Sequence, residues 1–290
     1  MREQSKTQNS SSAATHQVYY SPEALNGSIM LVKIRLVFLL PLAALLACGS
    51  NGPLVSAVPT YTFSGDWGAT STFVSLSIPI AGFFGSLSAS GGTVSGTLVP
   101  ITNASCGAAS TGIAVSGSVD ASGNLTVTLP VGGGTASLNA TLAANPQTLV
   151  GGSYQIVGGT CAMSVTPMTI AEYAPLDGTY TGTFNILTTP TSGTATNVTA
   201  VLTQSITPNA NGMFPVTGTV TTSGACTASF TLSNSVVWGG FLTASDSSGY
   251  YVVVGSFNPA GTTAQLAVFA NKNATTGCPS WEFAGALTRQ

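Results

Sequence analysis

The sequence predicts an all-β fold made of two similar antiparallel domains, each a β-barrel or β-sandwich of about eight short strands. Three observations lead to this prediction. Runs of Val, Thr, Leu, Ile and aromatic residues are separated by Gly, Asn, Pro and Ser along the chain after residue 60. Apolar and polar residues alternate with a period of two in these runs, and no long stretch has a helical period. Related strand and cysteine patterns occur twice.

The alternation is clear in three of these runs, "TVSGTLV" (93–99), "VSGSV" (115–119) and "LTVTL" (125–129). The segments Asp120-Ala-Ser-Gly123 and Asp246-Ser-Ser-Gly249 lie between such runs and predict hairpin loops, because Asp bonds locally and Gly adopts positive φ. Short connections without crossover helices favour a meander closed into a barrel, or a sandwich.

The pattern repeats in the two halves of the chain. The segment "TVSGTLVPITNASC" ends at Cys106, and "PVTGTVTTSGAC" ends at Cys226. Each half opens with a glycine–aromatic pair, at Trp67 in "SGDWGAT" and at Tyr180 in "LDGTYTGTF". The spacing of the two copies matches the size of an ordinary domain.

Four cysteines follow Cys48, and an even number in an exported protein indicates disulfides with three possible connectivities. The repeat favours the pairs Cys106–Cys161 and Cys226–Cys278, one in each domain. Closing loops of this length stabilises each domain by about 4 kcal/mol in the chain-entropy model.

The stretch "RLVFLLPLAALLACGS" (35–50) has the character of an export signal. Its apolar run from Leu36 to Ala47 is shorter than the roughly 20 residues of a membrane-spanning helix and fits a secretory signal. Lys33 and Arg35 stand in front of the run, which ends in Leu45-Leu46-Ala47-Cys48. This ending resembles the lipobox of bacterial lipoproteins.

The resemblance implies cleavage before Cys48 and attachment of a diacylglyceryl group to its thiol, with palmitate among the acyl chains. Gly49 follows the cysteine where an Asp would retain a lipoprotein in the inner membrane, which implies outer-membrane sorting in a two-membraned cell. Met30 by itself begins a complete signal, so the polar segment before it is interpreted as a misassigned upstream start.

The predicted organisation has five parts. They are the upstream segment 1–29, the signal peptide 30–47, the lipidated tether 48–59, the first β domain 60–174 and the second β domain 175–290.

Charge and histidine content exclude several function classes. The part from Cys48 to the end contains two basic residues, Lys272 and Arg289, and six acidic ones, so its formal net charge is −4. This composition argues against nucleic-acid binding. The single histidine, His16, precedes the signal, so the exported part has no imidazole for a nucleophile–histidine system or for a histidine-ligated metal. The sequence predicts no cofactor and no metal.

Carboxylates are the remaining acid–base groups. Glu172 and Glu282, one near the end of each half, are the pair that a carboxylate-dependent glycan hydrolase would use. Asp66 and Asp177 lie beside the glycine–aromatic pairs and are interpreted as repeated structural hydrogen-bonding groups. Without a catalytic constellation, the sequence predicts that the protein is not an enzyme.

Two runs break the alternation, "SVVWGGFL" (235–242) and "GYYVVVGSF" (249–257), and "GFFGSL" (82–87) is their counterpart in the first half. One face of each packs on its own core, and the other is expected to meet the first domain, a partner or lipid. The candidate binding or interface residues are aromatic: Trp67, Phe83, Phe84, Tyr180, Trp238, Tyr250 and Tyr251.

The Gly65-x-Trp67 element resembles the opening motif of lipocalins. The late arginine that lipocalins pack over this tryptophan has no counterpart at the end of the first half, since the exported part contains only Arg289. The resemblance therefore implies barrel geometry and nothing about ligands.

Together these features predict an exported, lipid-anchored envelope lipoprotein with a non-catalytic structural or partner-binding role. The alternative is a β-barrel that binds a small apolar ligand, and the second alternative is the glycan hydrolase. The expected partners are the membrane, through the lipid anchor, and an envelope protein, a glycan or a small apolar ligand.

Overall fold

The computed structural model describes residues 61–71, 80–102, 111–187, 195–224, 227–270 and 281–290. Cys48 and the signal-like segment before it lie outside these residues, as do Cys106, Cys226 and Cys278. Residues 55–290 form one compact unit. The described part consists of strands and their connections, which confirms the all-β prediction. Within the described ranges, no helix has the length and apolar content needed to cross a membrane.

The first eight strands form a closed antiparallel barrel. Each strand pairs with the next along the chain, and the last pairs with the first, so the ring is an up-and-down meander. The strands are β1 (Phe63–Ser71), β2 (Ile80–Ser90), β3 (Thr93–Thr102), β4 (Ile113–Val119), β5 (Asn124–Val131), β6 (Gly134–Thr141), β7 (Val150–Val157) and β8 (Met163–Tyr173).

The remaining nine strands form a second ring. They are β9 (Gly178–Ile186), β10 (Ala195–Gln204), β11 (Phe214–Gly224), β12 (Ala228–Leu232), β13 (Val236–Trp238), β14 (Phe241–Ser245), β15 (Tyr251–Phe257), β16 (Thr263–Ala270) and β17 (Trp281–Arg289). The short strands β12 and β13 both pair antiparallel with β11 and share one position in the ring. Pairing of β10 with β11 and of β17 with β9 closes the sheet into an eight-position barrel.

The prediction of two similar antiparallel β domains is therefore confirmed, and both are barrels rather than sandwiches. The correspondence extends to strand order. The segment Val94–Thr97 (V-S-G-T) lies on β3 and Val216–Thr219 (V-T-G-T) on β11, which is the third strand of each ring. Likewise Trp67 lies on β1 and Tyr180 on β9, the first strand of each ring.

The two Asp-x-Ser-Gly segments form the predicted hairpin turns. Oδ1 of Asp120 accepts the backbone N–H of Ser122 at 2.8 Å and that of Asn124 at 2.9 Å. Oδ1 of Asp246 accepts the N–H of Tyr251 at 3.0 Å. In both turns the Asp carboxylate accepts hydrogen bonds from backbone N–H groups of the loop between the strands, as expected for local Asp bonding.

Each barrel has its own core, formed by the inward-facing residues of the alternating strands. Phe83 packs edge-to-face against Tyr154 in the first barrel, with ring centroids 5.4 Å apart. Phe184 packs against Phe283 in the second, at 5.5 Å. Each large side chain buried in this way contributes roughly 1.5–3 kcal/mol to folding.

Candidate functional site

Four of the aromatic candidates lie inside the barrels. Trp67 and Phe83 are each 1% exposed, Tyr180 is fully buried and Tyr251 is 6% exposed. Tyr180 contacts Phe257 edge-to-face, and Tyr251 stacks on Phe230. These four side chains belong to the cores and stabilise the barrels.

The other three candidates, Phe84, Trp238 and Tyr250, are half-buried. Trp238 and Phe241 flank the two-residue turn between β13 and β14, and their rings meet edge-to-face with centroids 5.2 Å apart. Phe241 is 40% exposed, so this aromatic pair reaches the surface beside the junction of the two barrels.

That turn, Gly239–Gly240, docks on β1 of the first barrel. The N–H of Gly239 donates to Oδ1 of Asp66 at 2.6 Å, and the N–H of Gly240 donates to Oδ2 at 3.1 Å. Both glycines have positive φ, 56° and 72°. Asp66 is 2% exposed, so one buried carboxylate binds both backbone donors of a turn that is more than 170 residues away in the chain.

Glycine is required on both sides of this contact. A Cβ on Gly68 would lie 3.0 Å from the Cα of Gly239. A Cβ on Gly239 would overlap the ring of Phe84, and one on Gly240 would overlap the ring of Tyr173. The run "SVVWGGFL" thus meets the first barrel, and Phe84 of "GFFGSL" lies opposite it.

Further contacts join the barrels away from Asp66. The N–H of Gly112, before β4, donates to Oδ1 of Asn211 in the second barrel at 3.4 Å. Gly212 approaches Thr97 on β3 so closely that a side chain at Gly212 would meet the Thr97 backbone. The two rings therefore touch at two separate places.

Burial dominates the electrostatics of Asp66. It raises the pKa of this carboxyl from 3.8 to about 7, against the opposing effect of the N–H donors of Gly239 and Gly240. The nearby carboxylate of Glu172 raises the Asp66 pKa further. Glu172 is itself 9% exposed, and burial raises its own pKa.

These two carboxyls do not face each other across a groove. Glu172 is paired with Trp67 on the ladder between β1 and β8, whereas Asp66 is paired with Tyr173. Since paired residues share a face and neighbours along a strand point to opposite faces, Glu172 and Asp66 lie on opposite sides of the sheet. Glu282 lies on β17 in the other barrel, opposite Phe269. The described residues contain no group of three or more His, Cys, Asp or Glu side chains that would hold a metal ion.

Asp177 also acts as a local acceptor. Its Oδ1 accepts the N–H of Gln204 at 3.0 Å, and the Gln204 side chain accepts the N–H of Leu176 at 2.9 Å. Asp66 and Asp177 therefore both bind backbone donors, but Asp66 does so between the barrels and Asp177 within the second barrel.

Trp67 carries a buried polar atom that has no partner in the part of the chain that the structure describes. Its indole N–H has no acceptor there, whereas the hydroxyl of the corresponding Tyr180 donates to the carbonyl of Gly261 at 2.9 Å. A buried donor left without an acceptor costs about 1–3 kcal/mol.

Cys161 is 1% exposed and disulfide-bonded. Its predicted partner Cys106 lies outside the described residues, as does the whole pair Cys226–Cys278. Both pairings stay predictions.

An open polar groove of about 340 Å³ lies on the outer face of β5, β6 and β7. Thr126 donates to Asn139 at 3.0 Å, and Thr141 donates to Asn124 at 3.0 Å. The groove is neutral, and its hydroxyl and amide groups already bond to one another across the strands.

No protein-family model and no curated protein matches the chain. A crystal structure of a protein of unknown function from the DUF3598 family of Nostoc punctiforme PCC 73102 is similar at 12% identity, with a TM-score of 0.27. The similarity covers 80% of this chain and 97% of that one.

Proposed function

We propose that the chain is an exported lipoprotein, held in the cell envelope through a lipid on Cys48, with a non-catalytic role in binding a partner. The observation that carries the partner-binding part is that large side chains of the protein itself occupy the interior of both barrels. Trp67, Phe83 and Tyr154 are each 1% exposed, and Phe184 and Phe283 are fully buried. Recognition is then left to the outer surface.

The aromatic pair Trp238–Phe241 is the part of that surface best suited to an apolar contact. Phe241 is exposed and its ring is held by Trp238 at 5.2 Å, so little conformational freedom is lost when a partner covers it. Aromatic side chains held in this way are common anchors of protein interfaces.

Export is supported by the lipobox-like sequence and by the disulfide at Cys161, since structural disulfides form and persist in oxidising compartments. A non-catalytic role is supported by the placement of the buried carboxyls on opposite faces of the sheet.

One observation favours the alternative, a barrel that binds a small ligand. The unpaired indole N–H of Trp67 inside the first barrel would be satisfied by an acceptor atom of such a ligand.

Intact mass spectrometry of the protein solubilised from cell membranes tests the proposal. The expected mass is that of a chain beginning at Cys48 with an attached diacylglyceryl group, and a Cys48→Ser variant should stay unprocessed. Recovery of the wild-type chain from the cytosol, with free thiols and no acyl group, would refute export and anchoring. A small molecule that co-purifies in native spectra would favour the ligand-binding alternative over partner binding.

A further inference from the structure

The junction between the barrels contains a titratable group in an unusual position. Asp66 is 2% exposed, and each of its two carboxylate oxygens accepts a backbone N–H of the other barrel. Among the described residues, the titratable groups that act on it electrostatically are Tyr173, its partner on β8, and Glu172, which lies on the opposite face of the sheet. The docked turn and β2 bring none, so no cation within the described ranges compensates a negative charge at this position.

We propose that Asp66 and the Gly239–Gly240 turn form an acid-tightened latch between the two barrels. The carboxyl group takes up a proton when the barrels dock and releases it when they separate and water reaches it.

The direction follows from the two environments of the carboxyl. When the turn is withdrawn, Asp66 lies on the outer face of β1 in contact with water. Its pKa is then near the ordinary value of 3.8. In the docked form burial raises its pKa to about 7. A group that binds its proton more tightly in the docked form strengthens docking as the pH falls through the interval in which it is protonated in that form alone, and docking is strongest below that interval.

Docking is accordingly strongest below about pH 4, weakens between pH 4 and pH 7, and changes little above pH 7. The interval between 3.8 and about 7 corresponds to a change of roughly a thousandfold in the docking equilibrium constant. Glu172 acts in the same direction, because its negative charge adds to the cost of ionising Asp66.

Carbon-13 NMR of the full chain, labelled at Asp and titrated between pH 2 and pH 9, measures the first half of this proposal. The Asp66 carboxyl carbon should titrate with a midpoint near 7. Asp120 provides the internal reference, because hydrogen bonds from Asn124 lower its pKa and its carboxyl carbon should titrate below pH 4. A midpoint near 4 for Asp66 would overturn the latch, and this measurement needs no variant.

Amide hydrogen exchange measures the second half. The protection factors of Gly239, Gly240 and Gly112 should fall together as the pH rises from 5 to 8, because Gly112 donates across the second contact between the barrels. Val127 and Val253, in the two cores, should stay protected at every pH. Loss of protection at the turn alone would reduce the event to local fraying and overturn the latch.

Two substitutions isolate the carboxyl. Asp66→Asn removes the titrating group and should abolish the pH dependence of protection at Gly239 and Gly112. Asp177→Asn is the matched control, because Asp177 also accepts a backbone N–H but lies within the second barrel. It should keep the wild-type dependence, and an Asp66→Asn variant that also keeps it would contradict the proposal.

Discussion

Trp67 and Glu172 lie directly opposite each other on the seam that closes the first barrel, and Tyr180 and Arg289 occupy the same two places in the second. In each ring an aromatic residue of the first strand is paired with a charged residue of the last. The charged side chain lies over the glycine that precedes the aromatic residue: a Cβ on Gly65 would meet the carboxyl of Glu172, and one on Gly178 would lie 3.1 Å from Nε of Arg289. The repeat therefore preserves the geometry of the seam but reverses its charge.

Replacement of Gly239 by alanine should weaken the junction between the barrels. The new Cβ would overlap the Phe84 ring at a φ of 56°, so both crowding and backbone strain act. Gly249→Ala is the matched control, since Gly249 has a φ of 68° in a hairpin turn but open space around its Cβ position. We expect Gly239→Ala to lower the free energy of unfolding in urea by about 1–3 kcal/mol more than the control. Equal losses of unfolding free energy in the two variants would show that the contact between Gly239 and the first barrel does not contribute to stability.

Removing the unpaired N–H of Trp67 should cost little. Trp67→Phe loses packing volume but removes a buried donor without an acceptor, and the two effects should leave the free energy of unfolding within about 1 kcal/mol of wild type. Tyr180→Phe removes a hydroxyl that is bonded to Gly261, and should cost about 0.5–1.5 kcal/mol. Trp67→Ala, by comparison, should cost about 3–5 kcal/mol. A large loss in Trp67→Phe would mean that the indole N–H has an acceptor.

Neutralising Glu172 should stabilise the protein at pH 8 and leave it unchanged at pH 3. Burial raises the Glu172 pKa, so the ionised form is disfavoured in the folded state. The resulting loss of stability appears only as the pH rises above the ordinary pKa of a glutamate. Urea midpoints of Glu172→Gln and wild type at the two pH values measure the difference. Asp120→Asn has the opposite sign, because hydrogen bonds from Asn124 and Ser122 lower the Asp120 pKa and its ionised form is favoured on folding. That variant should lose stability at pH 8, and the loss should shrink as the pH falls below 4 and the wild-type carboxylate becomes protonated.

Removal of the Cys161 disulfide should lower the free energy of unfolding by about 2–5 kcal/mol. Cys161→Ser tests this value in urea. Peptide mapping of the non-reduced wild-type protein identifies the partner, which the internal repeat predicts to be Cys106. A peptide that links Cys161 to Cys278 would contradict the predicted connectivity.

Local features of the fold could be predicted from the sequence. Period-two alternation marks β3, β4 and β5, and the Asp-x-Ser-Gly segments mark two turns, because the residues that determine these structures are close in the chain. The choice between barrel and sandwich could not be predicted. Closure depends on pairs such as Trp67 with Glu172, which are more than one hundred residues apart and leave no local pattern.

The junction was predicted in part. The break in alternation at "SVVWGGFL" indicated a second contact, and the position of Asp66 between Gly65 and Trp67 indicated a structural bond. Nothing in the sequence links the two, because the Gly239 and Gly240 donors are backbone groups that every residue except proline possesses. A double glycine after an apolar strand was the available signal, and it predicts a tight hairpin without naming what the hairpin contacts.

Ring closure also has a kinetic consequence. The seam between β1 and β8 joins the two ends of a long segment, so it forms after the intervening hairpins and only once that segment has been brought together. Until then the nascent sheet has two unsatisfied edges that would accept strands from a neighbouring molecule. The chain is therefore most prone to aggregation in the interval before β1 pairs with β8.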